Sequence, residues 1–420
     1  MRWCYTLVGY LALPILLPRL WLRAAYRPRW AERLGYYAAP RVQGEAPTVV
    51  FHAVSVGEVH AARPLIEALR KARPALRIVL TCSTPTGAAR IKEIFGDSVE
   101  HVYLPWDLPG ALRRFLKRFE PALVVLLETE LWPNLLHAIA KRGCPVVLAN
   151  ARLSEKSRRG YARIGGMTYD MLERLTLVAA QAPADGERFV SLGLKRDKLR
   201  INGSLKFDYA IDEVQRQRAT VMKASFGGRP VWIAASTREG EDPLVLRAHQ
   251  TALAHEPRLL LVLVPRHPER FEQAGVLAEQ AGLRVQRASK GEVLSAQTQV
   301  LVGDTMGELG YYYGLADVAY VGGSLVNTGC QNVIEPAALG LPVVIGPSRY
   351  NFQAVTDELL EAKALQIVQN PEQLGETVVN LLSDPAQRRE RAERGRAVVA
   401  RNQGATQRLC QMLLELLSAS

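Results

Sequence analysis

The first half of the chain alternates short apolar runs with amphipathic stretches. Runs of uninterrupted apolar residues are typical of parallel strands that are buried on both faces. The stretches between them have helical spacing, for example Val59–Ala72 and Asn134–Arg142. This alternation predicts a doubly wound α/β domain. The predicted strands are Val49–Val54, Ile78–Thr81, Ala122–Leu127, Val146–Ala149 and Leu177–Ala180.

The same pattern repeats in the second half, after a charged stretch from Asp208 to Phe226 that lacks clear apolar periodicity. We therefore predict two α/β domains, at residues 34–208 and 227–400, joined by a linker at 209–226. Residues 401–420 are predicted to form a C-terminal helix, with packing back on the N-terminal domain as one possibility. The predicted strands of the second domain are Val231–Ala235, Leu259–Val264, Val300–Val302, Val318–Val321 and Val343–Ile345.

The N-terminus carries a hydrophobic segment, from Trp3 to Pro18, followed by a basic flank. The segment has about 16 residues, fewer than the roughly 20 that cross a bilayer, and it contains two prolines. Positive charge after such a run favours a cytoplasmic location for the domain that follows. Residues 1–33 are therefore predicted to be a membrane anchor, either spanning or interfacial, with a buried first helix as the alternative. The flanking arginines are Arg19, Arg23, Arg27, Arg29 and Arg33.

Charge and cysteine content limit the classes of partner that this protein is expected to bind. The net charge of +12 suits nucleic acid, an anionic membrane surface or anionic substrates. No nucleic-acid-binding motif accompanies that charge, so no nucleic acid partner is expected. The five cysteines are odd in number and show no metal-ligand spacing, which indicates a reduced cytosolic setting without a structural metal. Nothing in the sequence calls for a cofactor.

Acidic residues follow two predicted strands of the first domain. Glu58 comes after Ser55-Val56-Gly57, so it is predicted in the first turn of a helix, where the dipole favours the ionised carboxylate that a general base needs. Glu128 and Glu130 flank Thr129 where another apolar run ends. In an extended segment both side chains point the same way, and a neighbouring carboxylate raises the pKa of a base. The alternative for Glu58 is a helix-start residue without a further role. Capping of a helix at Pro133 would explain at most one of Glu128 and Glu130.

Basic residues that could bind an anion lie just before the predicted linker and after a predicted strand of the second domain. Lys206 lies just before the predicted linker and could neutralise a phosphate or carboxylate, although a surface lysine is the simpler interpretation. Arg266 and His267 follow a predicted strand, where a guanidinium can bind phosphate in a bidentate manner.

Two further loops of the second domain suit a nucleotide. One leads into a helix predicted to start at about Met306. The other begins at Gly322-Gly323 and leads to a helix with Asn332 as the predicted N-cap and Glu335 in its first turn. Unpaired backbone N–H groups at such helix starts suit a phosphate, and Glu335 suits ribose hydroxyls. An ordinary βαβ turn is the alternative.

Taken together, these segments resemble one family along essentially the whole chain: the transferases of 3-deoxy-D-manno-octulosonic acid (Kdo). The resemblance implies a GT-B architecture, in which two Rossmann-like domains face each other across an interdomain cleft. It also implies CMP-Kdo as the donor and a lipid A precursor (lipid IVA) as the acceptor, at the cytoplasmic face of the inner membrane, in lipopolysaccharide core biosynthesis. The matching segments are SVGE, TETELWPN, SLKFD, PRHPERF, GDTMGEL and GGSLV…NVIEPAALGLPVVIGP…NF.

The resemblance also implies roles for individual residues. Glu58 matches the catalytic base, and Glu128 and Lys206 match positions that stabilise the transition state. The implied reaction is a direct displacement with inversion that needs no metal. The positions that match CMP-binding segments are Pro265, Arg266, Met306, Gly307, Glu308, Asn332, Val333, Ile334 and Glu335.

Three positions depart from the usual pattern of that family. Gln331 stands where a histidine is usual, Arg238 where a histidine is frequent, and Ser204 where an asparagine is frequent. Two other functions remain open on the sequence alone. A GT-B-like sugar-nucleotide epimerase would share the fold without needing an anchor. A non-enzymatic, membrane-associated nucleotide-binding protein would not need Glu58 or the acids after Leu127.

Overall fold

The computed structural model describes residues 1–38, 46–208 and 212–419 of the chain. The chain divides into two compact units. The first comprises Met1–Asp208 together with Asn402–Ser420, and the second comprises Tyr209–Arg401. We refer to them as unit 1 and unit 2.

Strands and helices alternate along both units. The strands of the described residues are β1 (Thr48–His52), β2 (Arg77–Cys82), β3 (Glu100–Tyr103), β4 (Pro121–Leu127), β5 (Val146–Ala151), β6 (Leu177–Ala180), β7 (Leu199–Ile201), β8 (Val231–Thr237), β9 (Leu260–Pro265), β10 (Val285–Arg287), β11 (Val300–Val302), β12 (Val318–Val321), β13 (Val343–Ile345) and β14 (Leu365–Ile367). The helices are α1 (Arg2–Trp21), α2 (Val56–Ala72), α3 (Pro85–Phe95), α4 (Pro109–Phe119), α5 (Pro133–Ala140), α6 (Glu155–Arg163), α7 (Gly165–Glu173), α8 (Pro183–Ser191), α9 (Glu213–Ala224), α10 (Asp242–Leu253), α11 (Phe271–Gln280), α12 (Leu309–Leu315), α13 (Ile334–Leu339), α14 (Gln353–Glu361), α15 (Pro371–Ser383), α16 (Pro385–Asn402) and α17 (Ala405–Ala419).

Each unit is built on a parallel sheet. In unit 1 the strand order is β3-β2-β1-β4-β5-β6-β7, and in unit 2 it is β10-β11-β9-β8-β12-β13-β14. All pairings between described strands are parallel. The order reverses between β1 and β4 in unit 1, and between β8 and β12 in unit 2. In open α/β sheets ligands bind at such switch points, beyond the carboxyl ends of the strands.

Both faces of each sheet are covered, which explains the uninterrupted apolar runs. In β1, for example, Val49 and Phe51 pack into one core layer while Val50 packs into the layer on the opposite face. The sheet of unit 2 likewise separates two apolar layers. The prediction of two parallel α/β domains is confirmed, and each of the ten predicted strands is present to within two residues at either end.

Most of the predicted linker is instead a helix of unit 2. Residues 209–211 lie outside the described residues, but α9 follows directly, with Asp212 Oδ1 accepting a hydrogen bond from Gln215 N at 3.0 Å. Ala219 is fully buried, and Lys223 Nζ donates to Asp317 Oδ1 at 2.8 Å. The high charge of this stretch therefore belongs to the exposed face of a packed helix.

The C-terminal helix α17 belongs to unit 1. Its apolar residues Leu409, Leu413 and Leu417 join the core layer that contains Val49 and Phe51. The carboxylate of Asp208 accepts hydrogen bonds from the backbone N–H groups of Gly404 and Thr406, which fixes the start of the helix.

The N-terminal hydrophobic segment forms α1. Within the described part of the chain, no helix has the length and apolar character that crossing a bilayer requires, so the predicted anchor is not supported as a spanning helix. One face of α1 contacts unit 1 through polar groups, because Arg2 Nη1 and Thr6 Oγ1 both donate to Asn134 Oδ1 at 3.0 Å. Apolar side chains on α1, including Leu7 and Leu11, are exposed.

Candidate active site

The first candidate site residue, Glu58, lies where the sequence predicts it, in the first turn of α2. Ser55 caps this helix: Ser55 Oγ accepts from Glu58 N at 3.4 Å and donates to Glu58 Oε1 at 3.0 Å. The other carboxylate oxygen, Oε2, accepts from Val54 N at 2.7 Å. This reciprocal capping arrangement holds the carboxyl group in one orientation directly beyond the end of β1.

The electrostatics of Glu58 differ from the prediction that the helix start keeps it ionised. Burial is the largest influence and raises the pKa of the Glu58 carboxyl to about 7. The hydrogen bond from Val54 N opposes that shift, and the nearby negative charge of Glu128 adds to it. A carboxyl group with a pKa close to neutral pH is well matched to general base catalysis, since it can accept a proton readily.

Glu128 and Lys206 form a pair at the end of the neighbouring strand. Lys206 Nζ lies 3.6 Å from Glu128 Oε1, and about a quarter of each side chain is exposed (25% and 27%). The prediction that Glu128 and Glu130 lie in an extended segment is wrong, because Glu128 has a left-handed backbone (φ 55°). The chain turns there, and Glu130 Oε2 instead accepts a hydrogen bond from Trp132 Nε1 at 2.8 Å.

The turn that carries Lys206 is fixed by its neighbours. Asn150 Oδ1, at the end of β5, accepts from Leu205 N at 3.1 Å, and Ser204 Oγ accepts from Lys206 N at 3.4 Å. Asn150 shares the left-handed backbone of Glu128, with φ 52°. Left-handed residues other than glycine carry strain and are concentrated at functional sites. Two such residues at the ends of neighbouring strands therefore indicate a functional site at this edge of the sheet.

These residues gather at the switch point of unit 1. Glu58 follows β1 and Glu128 follows β4, the two strands between which the order reverses. The structure thus brings together the three residues that the sequence analysis selected as catalytic, Glu58, Glu128 and Lys206, within one unit.

At the switch point of unit 2 lies the Gly-rich loop after β12. The side chain that holds this loop in place is that of Glu241. Glu241 has no exposed surface and precedes α10, in the connection that follows β8. Its Oε2 accepts from Gly323 N at 2.6 Å and from Arg238 N at 2.9 Å. Its Oε1 accepts from Tyr320 Oη at 2.6 Å and, in the loop, from the N–H groups of Ser324 and Leu325 at 3.1 Å.

This arrangement limits which backbone groups near the loop could bind a phosphate. Gly323 has a positive φ (77°), and the first N–H groups of the loop are not available to a phosphate, because the Glu241 carboxylate binds three of them. Sequence reasoning missed Glu241. The sequence does show an acid shortly after a strand end, directly before the helix that starts at Asp242. It cannot show that most hydrogen-bond donors to this acid lie about 80 residues further along the chain.

Arginines cluster at the ends of β8 and β9. Pro265 is buried as the last residue of β9, whereas Arg266 is exposed and its backbone N–H donates to Thr237 O at 3.0 Å. Arg238 Nη1 lies 2.6 Å from His267 Nε2. Arg270 is buried, paired with Asp242, and donates to Thr237 O at 2.9 Å.

The segment at Met306, Gly307 and Glu308 is a turn and not the start of a helix, since α12 begins three residues later than predicted, at Leu309. Glu308 Oε2 accepts from Thr305 Oγ1 at 2.6 Å, and its Oε1 accepts from Arg218 of α9 at 2.7 Å. The Thr305 hydrogen bond, followed by that of Arg218, lowers the pKa of Glu308. Met306 is exposed.

The Asn332–Glu335 segment is only partly available to a ligand. The N-cap of α13 is Val333 and not Asn332, since the helix starts at Ile334, one residue later than the predicted cap implies. Asn332 Oδ1 nevertheless accepts from Ile334 N at 3.0 Å. Val333 and Ile334 are fully buried, which leaves only their backbone groups as candidates for nucleotide contacts. Glu335 is half-buried in the first turn of α13.

Comparison with known proteins agrees with this architecture. A UDP-GlcNAc 2-epimerase from Neisseria meningitidis matches with a TM-score of 0.59 over 88% of this chain and 100% of its own, at 14% identity. A glycosyltransferase from Rickettsia africae ESF-5 matches with a TM-score of 0.57 over 90% of this chain and 100% of its own, also at 14% identity. Identities this low show the fold alone. The two parallel-sheet α/β units thus resemble those of GT-B glycosyltransferases.

Sequence comparison defines the family. The family model described as "3-Deoxy-D-manno-octulosonic-acid transferase (kdotransferase)" matches residues 28–209. A protein of Haemophilus influenzae named 3-deoxy-D-manno-octulosonic acid transferase is 41% identical over 98% of this chain and 98% of its own. The chain belongs to the 3-deoxy-D-manno-octulosonic acid transferase family, a family of glycosyltransferases, as the sequence motifs predicted.

Replacing Glu241 by Gln should destabilise the protein. Five donors converge on the carboxylate, and an amide can accept through one oxygen only, so its NH₂ group would face N–H donors. Losing charge-assisted hydrogen bonds in a buried site should lower the free energy of unfolding by about 3 kcal/mol. Chemical denaturation measures this change, and amide exchange at Gly323, Ser324 and Leu325 should accelerate.

The exposed neighbour Glu239 provides the matched control. Glu239→Gln should leave the free energy of unfolding unchanged, because no buried contact is lost. A Glu241→Gln protein that is as stable as this control, with unaltered exchange in the loop, would show that Glu241 does not hold the loop.

Proposed function

We propose that this protein transfers Kdo from CMP-Kdo to a lipid A precursor, lipid IVA, with inversion at the anomeric carbon, in lipopolysaccharide core biosynthesis. The observation that carries the proposal is Glu58: a buried carboxyl group with a pKa of about 7, fixed at the switch point of unit 1. Family membership supplies the substrate class, since the 41% identical relative is named as a Kdo transferase.

In the proposed reaction Glu58 removes the proton from a sugar hydroxyl of the acceptor. The hydroxyl oxygen forms a bond to the anomeric carbon of Kdo while the bond from that carbon to the phosphate oxygen of CMP breaks. One displacement of this kind inverts the configuration at the anomeric carbon. Glu128 and Lys206 stabilise the transition state. Lys206 supplies positive charge, and the 3.6 Å contact with Glu128 limits where that charge lies.

We assign donor binding to unit 2. Arg266 is exposed at the end of β9 and suits the phosphate of CMP, whose departure as an anion it would favour. Stabilising a leaving group through a preorganised donor is commonly worth about 3 kcal/mol. The turn at Met306–Glu308 and the segment at Asn332–Glu335 contribute backbone groups. The half-buried carboxylate of Glu335 suits the ribose hydroxyls.

We further propose that the enzyme works at the cytoplasmic face of the inner membrane, held there by α1. The outer face of this helix exposes Trp3, Leu7, Leu11 and Ile15, which recur every four residues and so form one stripe. Arg19, Arg23 and Arg27 follow directly, are exposed and suit anionic headgroups. Of the other two arginines of the basic flank, Arg29 is paired with Glu32 and Arg33 is buried. An apolar stripe beside positive charge is typical of a helix that lies in the membrane interface.

Glu58→Gln should reduce transfer at least about 100-fold, the usual size of a general base effect, because the amide cannot take up the acceptor proton. Mass spectrometry of products from CMP-Kdo and a tetraacylated lipid A precursor measures the change. CMP affinity should stay within about twofold, since Glu58 lies in unit 1. Glu67→Gln, an exposed change on the same helix, is the control. Near-normal transfer by Glu58→Gln would remove this residue from the mechanism.

The triple variant Leu7→Gln, Leu11→Gln, Ile15→Gln should lose binding to vesicles that contain anionic lipid, because the apolar stripe of α1 becomes polar. Flotation measures binding, and turnover of a detergent-dispersed acceptor should persist. The matched control places glutamine at three exposed valines of unit 2, Val214, Val221 and Val293, and should still float. Equal flotation of both triple variants would contradict the membrane role of α1.

A further inference from the structure

Arg238 stands out among the arginines of unit 2 because of what its side chain contacts. It follows the last residue of β8, and its guanidinium Nη1 lies 2.6 Å from His267 Nε2. Among the described residues, no carboxylate lies within ion-pair distance of this guanidinium, in contrast to Arg270, which pairs with Asp242, and Arg218, which pairs with Glu308. The charge of Arg238 is therefore not neutralised by an acid of its own unit.

The contact with His267 orients Arg238 without neutralising it. A guanidinium has only donors, so the imidazole accepts through Nε2 and carries its proton on Nδ1. The ring is neutral in this arrangement. Burial lowers the pKa of His267, and the positive charges of Arg238 and Arg266 lower it further.

The backbone places Arg238 at the switch point of unit 2. Its N–H shares Glu241 Oε2 with the N–H of Gly323, which sets the residue beside the Gly-rich loop. On its other side, Arg266 is joined to Thr237 by a backbone hydrogen bond of 3.0 Å. Ser236 has a left-handed backbone (φ 58°) at the end of β8, which redirects the chain there.

We propose that Arg238, oriented by His267, binds an anionic group of the nucleotide-sugar donor beside Arg266. The inference rests on the proposed function, because it takes CMP-Kdo as the donor. That molecule offers two groups of the required chemistry, the phosphate of CMP and the carboxylate of the sugar acid. A planar guanidinium can bind either group through two parallel N–H donors.

The test compares Arg238→Gln with wild-type protein and with Arg394→Gln. Glutamine can still donate a hydrogen bond to His267 but has lost the charge. Arg394 lies on the surface helix α16, where it pairs with Glu390, so its replacement should change neither donor constant. Calorimetry gives the dissociation constant for CMP, and steady-state transfer gives KM for CMP-Kdo. For Arg238→Gln we expect at least one of them to rise about tenfold, a loss of about 1.4 kcal/mol.

Comparing CMP with CMP-Kdo distinguishes the phosphate from the sugar carboxylate as the group that Arg238 binds. A rise in both constants assigns Arg238 to the phosphate, and a rise in the KM for CMP-Kdo alone assigns it to the carboxylate. Arg238→Lys retains the charge and should recover part of the loss, which a purely structural role would not predict. Both constants within twofold of wild type would overturn the inference while leaving the proposed function intact. Failure of the wild-type protein to bind CMP would instead overturn the proposed function and this inference with it.

Discussion

The organisation of unit 2 depends on one buried carboxylate. Glu241 accepts hydrogen bonds from the loop that follows β12 and from Arg238, which follows β8, so it ties together the two sides of the switch point. A charge without solvent contact is stable only when several donors surround it, and here the backbone supplies four of the five. The turn of Gly323 and the placement of Arg238 both follow from this interaction.

Both units have a parallel sheet with a switch point beside their first strand, although their strand orders differ, and the two switch points carry different chemistry. In unit 1 the switch point holds Glu58, whose carboxyl group accepts few hydrogen bonds, is buried and consequently has a pKa near 7. In unit 2 the equivalent carboxylate is saturated with donors, and positively charged side chains lie around it. This difference is consistent with the proposed roles, in which Glu58 of unit 1 accepts a proton and the basic residues of unit 2 bind an anion.

The sequence was sufficient to predict the inner strands of both sheets, but not the strands at their edges. The four strands it missed, β3, β7, β10 and β14, are the outermost strands, and an edge strand needs no long apolar run because it is less completely covered. The sequence predicts a linker where α9 lies, because burial of little more than Ala219 leaves the apolar pattern of this helix weak. The position of Glu58 was predictable from Ser55 and Gly57. Its pKa was not, because burial depends on residues distant in sequence, and the same holds for the partners of Glu241.

The central claim is that the ionisation of Glu58 controls transfer. The most direct measurement is kcat/KM for transfer from CMP-Kdo as a function of pH, since this ratio reports the groups of the free enzyme. The account predicts that kcat/KM rises with pH as Glu58 loses its proton, with an inflection near pH 7. An inflection near the ordinary pKa of a glutamate, about 4.3, or a flat profile between pH 6 and 8, would contradict it.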